Sequence, residues 1–208
     1  MANFKTEQEN CWAGNFGNAY IERNLQTAKS QASRLAFWSN ILTNIPGGVS
    51  SCLEFGPNIG LNLNALGILL PELRMTGVEI NEKAAEECAK LDRVSVCKGS
   101  ILEFETKEKF DLTFTCGVLI HIQPESLPKV YEKLYEYSNR YIVISEYYNP
   151  TPTVIEYRGH SNLLFKRDFA GELLDKYKDL RLLNYGFSYH RDNHFPGGDG
   201  TWFIMEKS

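Results

Sequence analysis

A chain of 208 residues, 43% hydrophobic and 12% aromatic, has room for one domain (1-208) with a sizeable core, and no repeat or low-complexity tract interrupts it. A formal net charge of −4 and a pI near 5.6 argue against a broad phosphate-binding surface, which needs clustered Lys and Arg, so a small-molecule partner is expected and nucleic acid is not. No apolar run approaches the roughly 18 residues of a membrane span, and Met1-Ala2-Asn3-Phe4-Lys5 is too polar to open a secretory signal, which predicts a cytoplasmic protein without a membrane segment.

The chain opens with Cys11 to Asn24, a mixture of aromatics, glycines and charge without a clean period, read as a packed loop or short helix. From Thr27 to Leu42, Ala28, Ala32, Leu35, Ala36, Ser39 and Leu42 fall on one helical face, and Pro46-Gly47-Gly48 stops the pattern. Residues 1-48 are therefore expected to form a helical cap or lid ahead of a core at 49-208. Val49 to Phe55 has strand chemistry and Leu61 to Leu70, halted by Pro71, suits a helix, so Gly56-Pro57-Asn58-Ile59-Gly60 is a turn between strand and helix. Further strands are predicted at Arg74 to Ile80, Val94 to Cys97, Asp111 to Cys116 and Tyr141 to Ser145. Helices are predicted at Glu82 to Leu91, with Asn81 as N-cap, and at Ser126 to Ser138.

Strand alternating with helix predicts a doubly wound α/β fold, a mainly parallel sheet with right-handed crossovers and helices on both faces. A last helix at Lys166 to Tyr177 precedes two strands, Arg181 to Tyr189 and Thr201 to Glu206, whose short Gly- and Pro-containing link has no room for a crossover. They are expected to form a C-terminal antiparallel hairpin that completes a seven-stranded sheet.

Five cysteines at 11, 52, 88, 97 and 116 form no C-x-x-C pair and read as reduced, with Cys52 and Cys116 inside apolar runs. His190-x-x-x-His194 lies beside Pro196-Gly197-Gly198, a loop rather than a ligand-bearing helix, so no metal is expected.

In a doubly wound sheet the ligand lies beyond the carboxyl ends of the strands, where the Gly56 turn and Glu79 would meet. Glycine admits positive φ and close approach of a ligand. Glu79 ends its strand 19 residues past Gly60, the place of a carboxylate that accepts from ribose hydroxyls. A dinucleotide's pyrophosphate calls for G-x-G-x-x-G, and this turn has Asn58 in the middle place, which counts against a nicotinamide cofactor. S-adenosylmethionine needs no phosphate cradle, and Glu54 with the backbone near Cys116 and Gly117 offers acceptors for its ammonium.

The stretches Leu53-Glu54-Phe55-Gly56-Pro57-Asn58-Ile59-Gly60, Gly77-Val78-Glu79-Ile80-Asn81, Lys98-Gly99-Ser100-Ile101 and Gly117-Val118-Leu119-Ile120-His121-Ile122 resemble class I S-adenosylmethionine-dependent methyltransferases. More narrowly, Trp12-Ala13-Gly14, Tyr20-Ile21-Glu22-Arg23-Asn24, Tyr157-Arg158-Gly159-His160 and Phe165-Lys166-Arg167-Asp168-Phe169 resemble the pseudaminic acid biosynthesis-associated methylases. The resemblance implies that Glu54, Gly56, Pro57, Asn58 and Gly60 contact the methionine side, that Glu79 accepts from the ribose and Ile80 covers the adenine, and that Ser100 and Ile101 border its edge. Cys116, Gly117 and Val118 complete that set. Ser100 departs from the Asp that many members carry. Trp12, Tyr20 and Arg23 are expected to close over the cofactor, Tyr20 or Arg23 near its carboxylate.

Methyl transfer to O or N is an in-line displacement that needs close positioning and, for a hydroxyl, removal of a proton. His121, Glu146, His160 and His190 are the candidate bases, and Tyr147, Tyr148, Tyr157, Arg158 and Tyr189 the candidate acceptor contacts, with Arg158 as the fork for an acidic group. The reading is a methyltransferase acting on a small polar acceptor such as a sugar or amino sugar. Its alternatives are a nicotinamide-dependent oxidoreductase and a non-catalytic cofactor-binding pathway partner.

Overall fold

The computed structural model describes residues 4–24 and 26–208; residues 1–3 and Leu25 of the expected cap lie outside the described residues. Seven strands form one sheet: β1 (Ser51–Phe55), β2 (Arg74–Glu79), β3 (Val94–Lys98), β4 (Phe110–Cys116), β5 (Ser138–Glu146), β8 (Leu180–Ser188) and β9 (Gly200–Lys207). Their order is β3-β2-β1-β4-β5-β9-β8. The first five pair parallel, β9 pairs antiparallel with β5, and β8 pairs antiparallel with β9 as the edge. This is the predicted fold, and its physical reason is visible in β1, where all five residues are buried because helices cover both faces.

One face carries α3 (Ala28–Thr43), α4 (Leu61–Leu69) and α5 (Glu82–Cys88), which pack Trp38, Ile41, Leu63, Leu66 and Cys88 against Cys52, Leu112, Phe114 and Val143. The other carries α6 (Leu127–Glu136) and α7 (Phe169–Lys176), with Val130, Leu134, Phe169 and Leu173 against Leu53, Phe55, Ile142 and Ile144. The buried stripe of α3 is Trp38 and Ile41, continuing to Ile45 beyond its end, whereas Ala28 and Ser39 of the predicted face are exposed. The larger apolar side chains fix the rotation of the helix.

Two regions are more regular than the sequence indicated, the N-terminal stretch expected as a packed loop or short helix and the segment between β5 and α7, for which no element was predicted. The N-terminal stretch is two short helices, α1 (Glu7–Ala13) and α2 (Asn15–Arg23), broken at Gly14. A reciprocal capping box between Thr6 and Glu9 starts α1. The segment between β5 and α7 holds a second hairpin, β6 (Thr153–Tyr157) and β7 (His160–Lys166). It turns at Arg158 and Gly159, both at positive φ (52° and 81°) as a tight primed turn requires. No helix among the described residues is long and apolar enough to cross a membrane. All five cysteines are free; Cys52 and Cys88 are buried, Cys116 is partly covered and Cys97 is exposed.

Candidate active site

The sheet order reverses between β1 and β4, and beyond the carboxyl ends of β1, β2 and β4 lies a narrow cavity of about 150 Å³. Its floor is the turn after β1. Gly56 (φ 70°), Asn58 (φ 52°) and Gly60 (φ 82°) all take the left-handed conformation, and Asn58 steadies its own through its side-chain Oδ1, which accepts the Ile59 N–H at 2.8 Å. The two glycines serve different contacts. A Cβ on Gly56 would stand 2.6 Å from Val118 Cγ2, closing the gap between the turn and the segment after β4. A Cβ on Gly60 would meet Leu91 and Cys88 at 2.5 and 2.8 Å, so Gly60 lets α4 pack on the α5 layer and does not line the cavity.

Glu79, at the end of β2, is buried and lines the cavity. Its Oε2 accepts the Asn58 N–H and its Oε1 the Asn81 N–H, each at 2.8 Å, which fixes the carboxylate in one orientation and ties the turn to the start of α5. Burial raises its pKa, opposed by those backbone donors. Glu54 differs: it is wholly buried beneath the cavity and meets it through Asn62. Asn62 Nδ2 donates to Glu54 Oε1 at 2.6 Å, and Arg34 Nη1 donates to Asn62 Oδ1 at 2.7 Å. Burial pushes the Glu54 carboxyl up to about 8, and its Oε2 has no partner.

α1 and α2 roof the cavity through Gln8, Glu9, Trp12 and Tyr20. They are held there by Asn81, whose Nδ2 donates to Trp12 O and to Asn18 Oδ1, both at 3.0 Å, and by Gly17, where a Cβ would stand 1.9 Å from Trp12 O. Ser100 donates to Glu9 Oε1, so the N-terminal helix brings a carboxylate to the edge of the cavity where Ser100 stands. Gln8 Oε1 and Trp12 Nε1 are buried without a partner, as is suitable for groups that meet a ligand.

A second cavity of about 470 Å³ adjoins the first. Tyr20, Arg34, Asn62, Cys116, Gly117 and His121 line both, which marks their junction. His121 Nδ1 is hydrogen-bonded to the Leu163 carbonyl of β7; a carbonyl only accepts, so Nδ1 carries the proton and Nε2 the lone pair. Its ring packs 4.5 Å from Trp12 and 5.4 Å from Tyr157, and burial lowers its pKa to about 4, keeping it neutral. Cys116 is no nucleophile, because burial raises its thiol well above the usual range.

Of the predicted cofactor contacts, Trp12, Tyr20, Gly56, Pro57, Asn58, Glu79, Ile80, Ser100, Ile101, Cys116, Gly117 and Val118 line the first cavity. Arg23 does not: its guanidinium lies 5.4 Å from the Tyr20 ring and 5.8 Å from Phe16, and Arg34 is the arginine that faces the cavity. Of the predicted bases, Glu146 borders the second cavity, but both its oxygens are engaged by the N–H groups of Val118, Leu119 and Ile120 at 3.0, 3.1 and 3.3 Å. It anchors the turn after β4, with its pKa raised to about 7 by burial. His160 is exposed at the start of β7, 5.6 Å from Phe16, and His190 is exposed and paired with Asp199 at 2.9 Å, so neither lines a cavity.

Tyr147, Tyr157 and Tyr189 line the second cavity. Tyr148 is 43% exposed and leans on Phe203, while Arg158 occupies the exposed tip of the β6–β7 turn; both are outside it. Sequence reasoning missed Glu9, Arg34, Asn62 and the rings of Phe37, Phe187, Phe195 and Trp202. A signal existed for Asn62 alone, one of two asparagines on a helix of apolar residues and the one that faces inward.

No protein-family model matches the chain, and no curated protein matches it by sequence. Solved structures do match in fold. The plantazolicin methyltransferase BpumL in complex with S-adenosylhomocysteine superposes with a TM-score of 0.68 at 15% identity, over 97% of this chain and 94% of that one. Magnesium protoporphyrin IX methyltransferase from Synechocystis PCC 6803 with bound S-adenosylmethionine gives 0.67 at 13% identity, over the full length of both. The glycopeptide N-methyltransferase MtfA complexed with S-adenosylhomocysteine gives 0.64 at 10%, over 94% and 99%. The fold is that of the class I methyltransferases.

Proposed function

We propose that this chain is an S-adenosylmethionine-dependent methyltransferase acting on an oxygen or nitrogen of a small polar acceptor. The observation that carries the reading is the pair of cavities that meet at Gly117 and His121: one bears the fixed Glu79 carboxylate over a left-handed turn, the other is walled by aromatic rings. Structural neighbours of this fold bind S-adenosylmethionine or its product, which supports the choice of ligand for the first cavity.

The residues present fit that ligand. Glu79 has lone pairs left to accept from ribose hydroxyls after its two backbone bonds. Trp12, Ile80 and Ile101 offer apolar faces for the base, with the Glu9 carboxylate and Gln8 Oε1 at its edge. Arg34 and Asn62, tied to Glu54, offer donors and acceptors for the amino-acid end. When bound, S-adenosylmethionine supplies an electrophilic methyl on a sulfonium sulfur. His121 Nε2 can accept the proton of a hydroxyl or amine held at the junction, and its low basicity leaves alignment of the acceptor as the larger contribution.

The narrower kinship, with the pseudaminic acid biosynthesis-associated methylases, and a sugar or amino-sugar acceptor are the finer parts of the proposal; they rest on the shared stretches quoted from the sequence. Isothermal titration is the test. S-adenosylhomocysteine is expected to bind in the micromolar range while NADH and NADPH give no heat of binding; the reverse would replace a methyltransferase by an oxidoreductase. Turnover of an acceptor panel then separates an enzyme from a non-catalytic binder.

A further inference from the structure

The second cavity shows what kind of molecule it admits. Phe37 of α3, Tyr157 of β6, Phe187 of β8 and Trp202 of β9 contribute rings to its wall. Phe187, Tyr189 and Phe195 are 58%, 47% and 51% exposed, and all three border this one opening. Rings that large pay solvent exposure where a ligand's face is to lie against them, and they match flat or ring-shaped partners. Ser33 Oγ, buried without a partner on the same wall, adds a neutral hydroxyl.

The charges are one-sided. Among the described lining residues Arg34 is the only Lys or Arg, and it stands at the junction, bonded to Asn62 and directed to the first cavity as well. Two carboxylates line the second cavity, Glu146 and Asp192. Asp192 Oδ1 accepts the His194 and Phe195 N–H groups at 2.9 and 2.7 Å, which holds its carboxyl below the usual range. Glu146 is spent on the backbone N–H groups of Val118, Leu119 and Ile120, so an acid entering this space would face the Asp192 carboxylate with no cation of its own, and desolvating an unpaired carboxylate is costly. Arg158, the arginine that the sequence suggested for an acid, is on the exposed hairpin tip.

We infer that the second cavity takes a ring-shaped acceptor that is uncharged or carries an amine, and turns acids away. The inference rests on the proposed reading of the first cavity, since the cofactor's carboxylate is what engages Arg34.

The test uses the full chain saturated with S-adenosylhomocysteine and three probes that share a 4-hydroxyphenyl ring: tyrosol, tyramine and 4-hydroxyphenylacetate. Affinities are read by ligand-observed NMR titration. Tyrosol and tyramine should bind at least tenfold more tightly than 4-hydroxyphenylacetate. Phe187→Ala should weaken tyrosol several-fold, and Asp192→Asn should narrow the gap between tyrosol and the acid. Without S-adenosylhomocysteine the acid should regain affinity by reaching Arg34. Equal or tighter binding of 4-hydroxyphenylacetate to the saturated protein, or binding of none of the three, would overturn the inference. Failure of the cofactor reading shows separately, as no heat when S-adenosylhomocysteine alone is titrated.

Discussion

Arg34 Nη1 lies 2.7 Å from Asn62 Oδ1, so a cation on α3 is fastened to α4 at the point where the two cavities join. Asn62 passes that contact on to the buried Glu54. The arrangement satisfies one oxygen of a buried carboxyl whose second oxygen has no partner, and it leaves a guanidinium edge facing the first cavity.

Arg34→Met should therefore weaken S-adenosylhomocysteine by about 2 kcal/mol, the typical loss of a charge-assisted hydrogen bond. 5′-Methylthioadenosine, which lacks the amino-acid end, should bind the variant as it binds the wild type. Titration of both ligands decides the matter: a parallel loss would place Arg34 in support of the fold.

Glu79→Gln keeps the shape of the side chain but removes the charge and one acceptor face. Affinity for S-adenosylhomocysteine should fall by roughly 1 to 2 kcal/mol, because the ribose hydroxyls and the Asn58 and Asn81 N–H groups then compete for fewer lone pairs. Unchanged affinity by calorimetry would remove Glu79 from the ligand site.

The strand-helix alternation was legible because β1, β2, β4 and β5 are short apolar runs closed by polar or glycine turns, and Glu79 could be read as a strand-end acid from its spacing alone. The N-terminal stretch was legible only as a packed loop or short helix within a helical cap, not as two helices. Gly14 and Gly17 blur the helical period, yet one breaks the helix and the other permits the contact of Gly17 with Trp12 O. The β6–β7 hairpin is faint in the sequence because β7 opens with His160-Ser161-Asn162, polar residues with little strand preference, and its turn is the unusual pair Arg158-Gly159. Arg34 was hidden for another reason: its importance comes from Asn62, 28 residues away, and no local pattern encodes that distance. The wall of the second cavity is drawn from α3, β6, β8 and β9, so its aromatic character emerges only when the sheet edge and the helix come together.

Gly17→Ala separates docking from local helix preference. Alanine favours a helix by about 1 kcal/mol over glycine, so an isolated α2 would gain. Here the new Cβ would stand 1.9 Å from Trp12 O and 2.8 Å from Asn81 Nδ2, and backbone must move. The expected outcome is an S-adenosylhomocysteine affinity at least tenfold weaker and faster proteolytic cleavage near Arg23, with a smaller change in the main unfolding transition. Wild-type affinity would show that the roof of the cavity does not depend on this contact.

Glu54 makes stability depend on pH in a defined direction. Its carboxyl, raised by burial from the ordinary 4.5 to about 8, keeps its proton in the folded state over a range where the unfolded chain has released it. The stabilisation is fully present below pH 4.5 and is lost as pH rises through 8. Asn62 and Arg34 oppose the shift without cancelling it, and Glu79 and Glu146, also raised, push stability the same way. Denaturant unfolding of the ligand-free chain should therefore show stability falling between pH 5.5 and 8.5, with a share on the order of a few kcal/mol from Glu54. Glu54→Gln retains an acceptor for Asn62 Nδ2 but cannot titrate, so its profile should be flatter than that of the wild type across this window. Parallel profiles for the two proteins would mean that Glu54 is already ionised in the fold, held so by Arg34 through Asn62, and that the orphan oxygen finds its partner without a ligand.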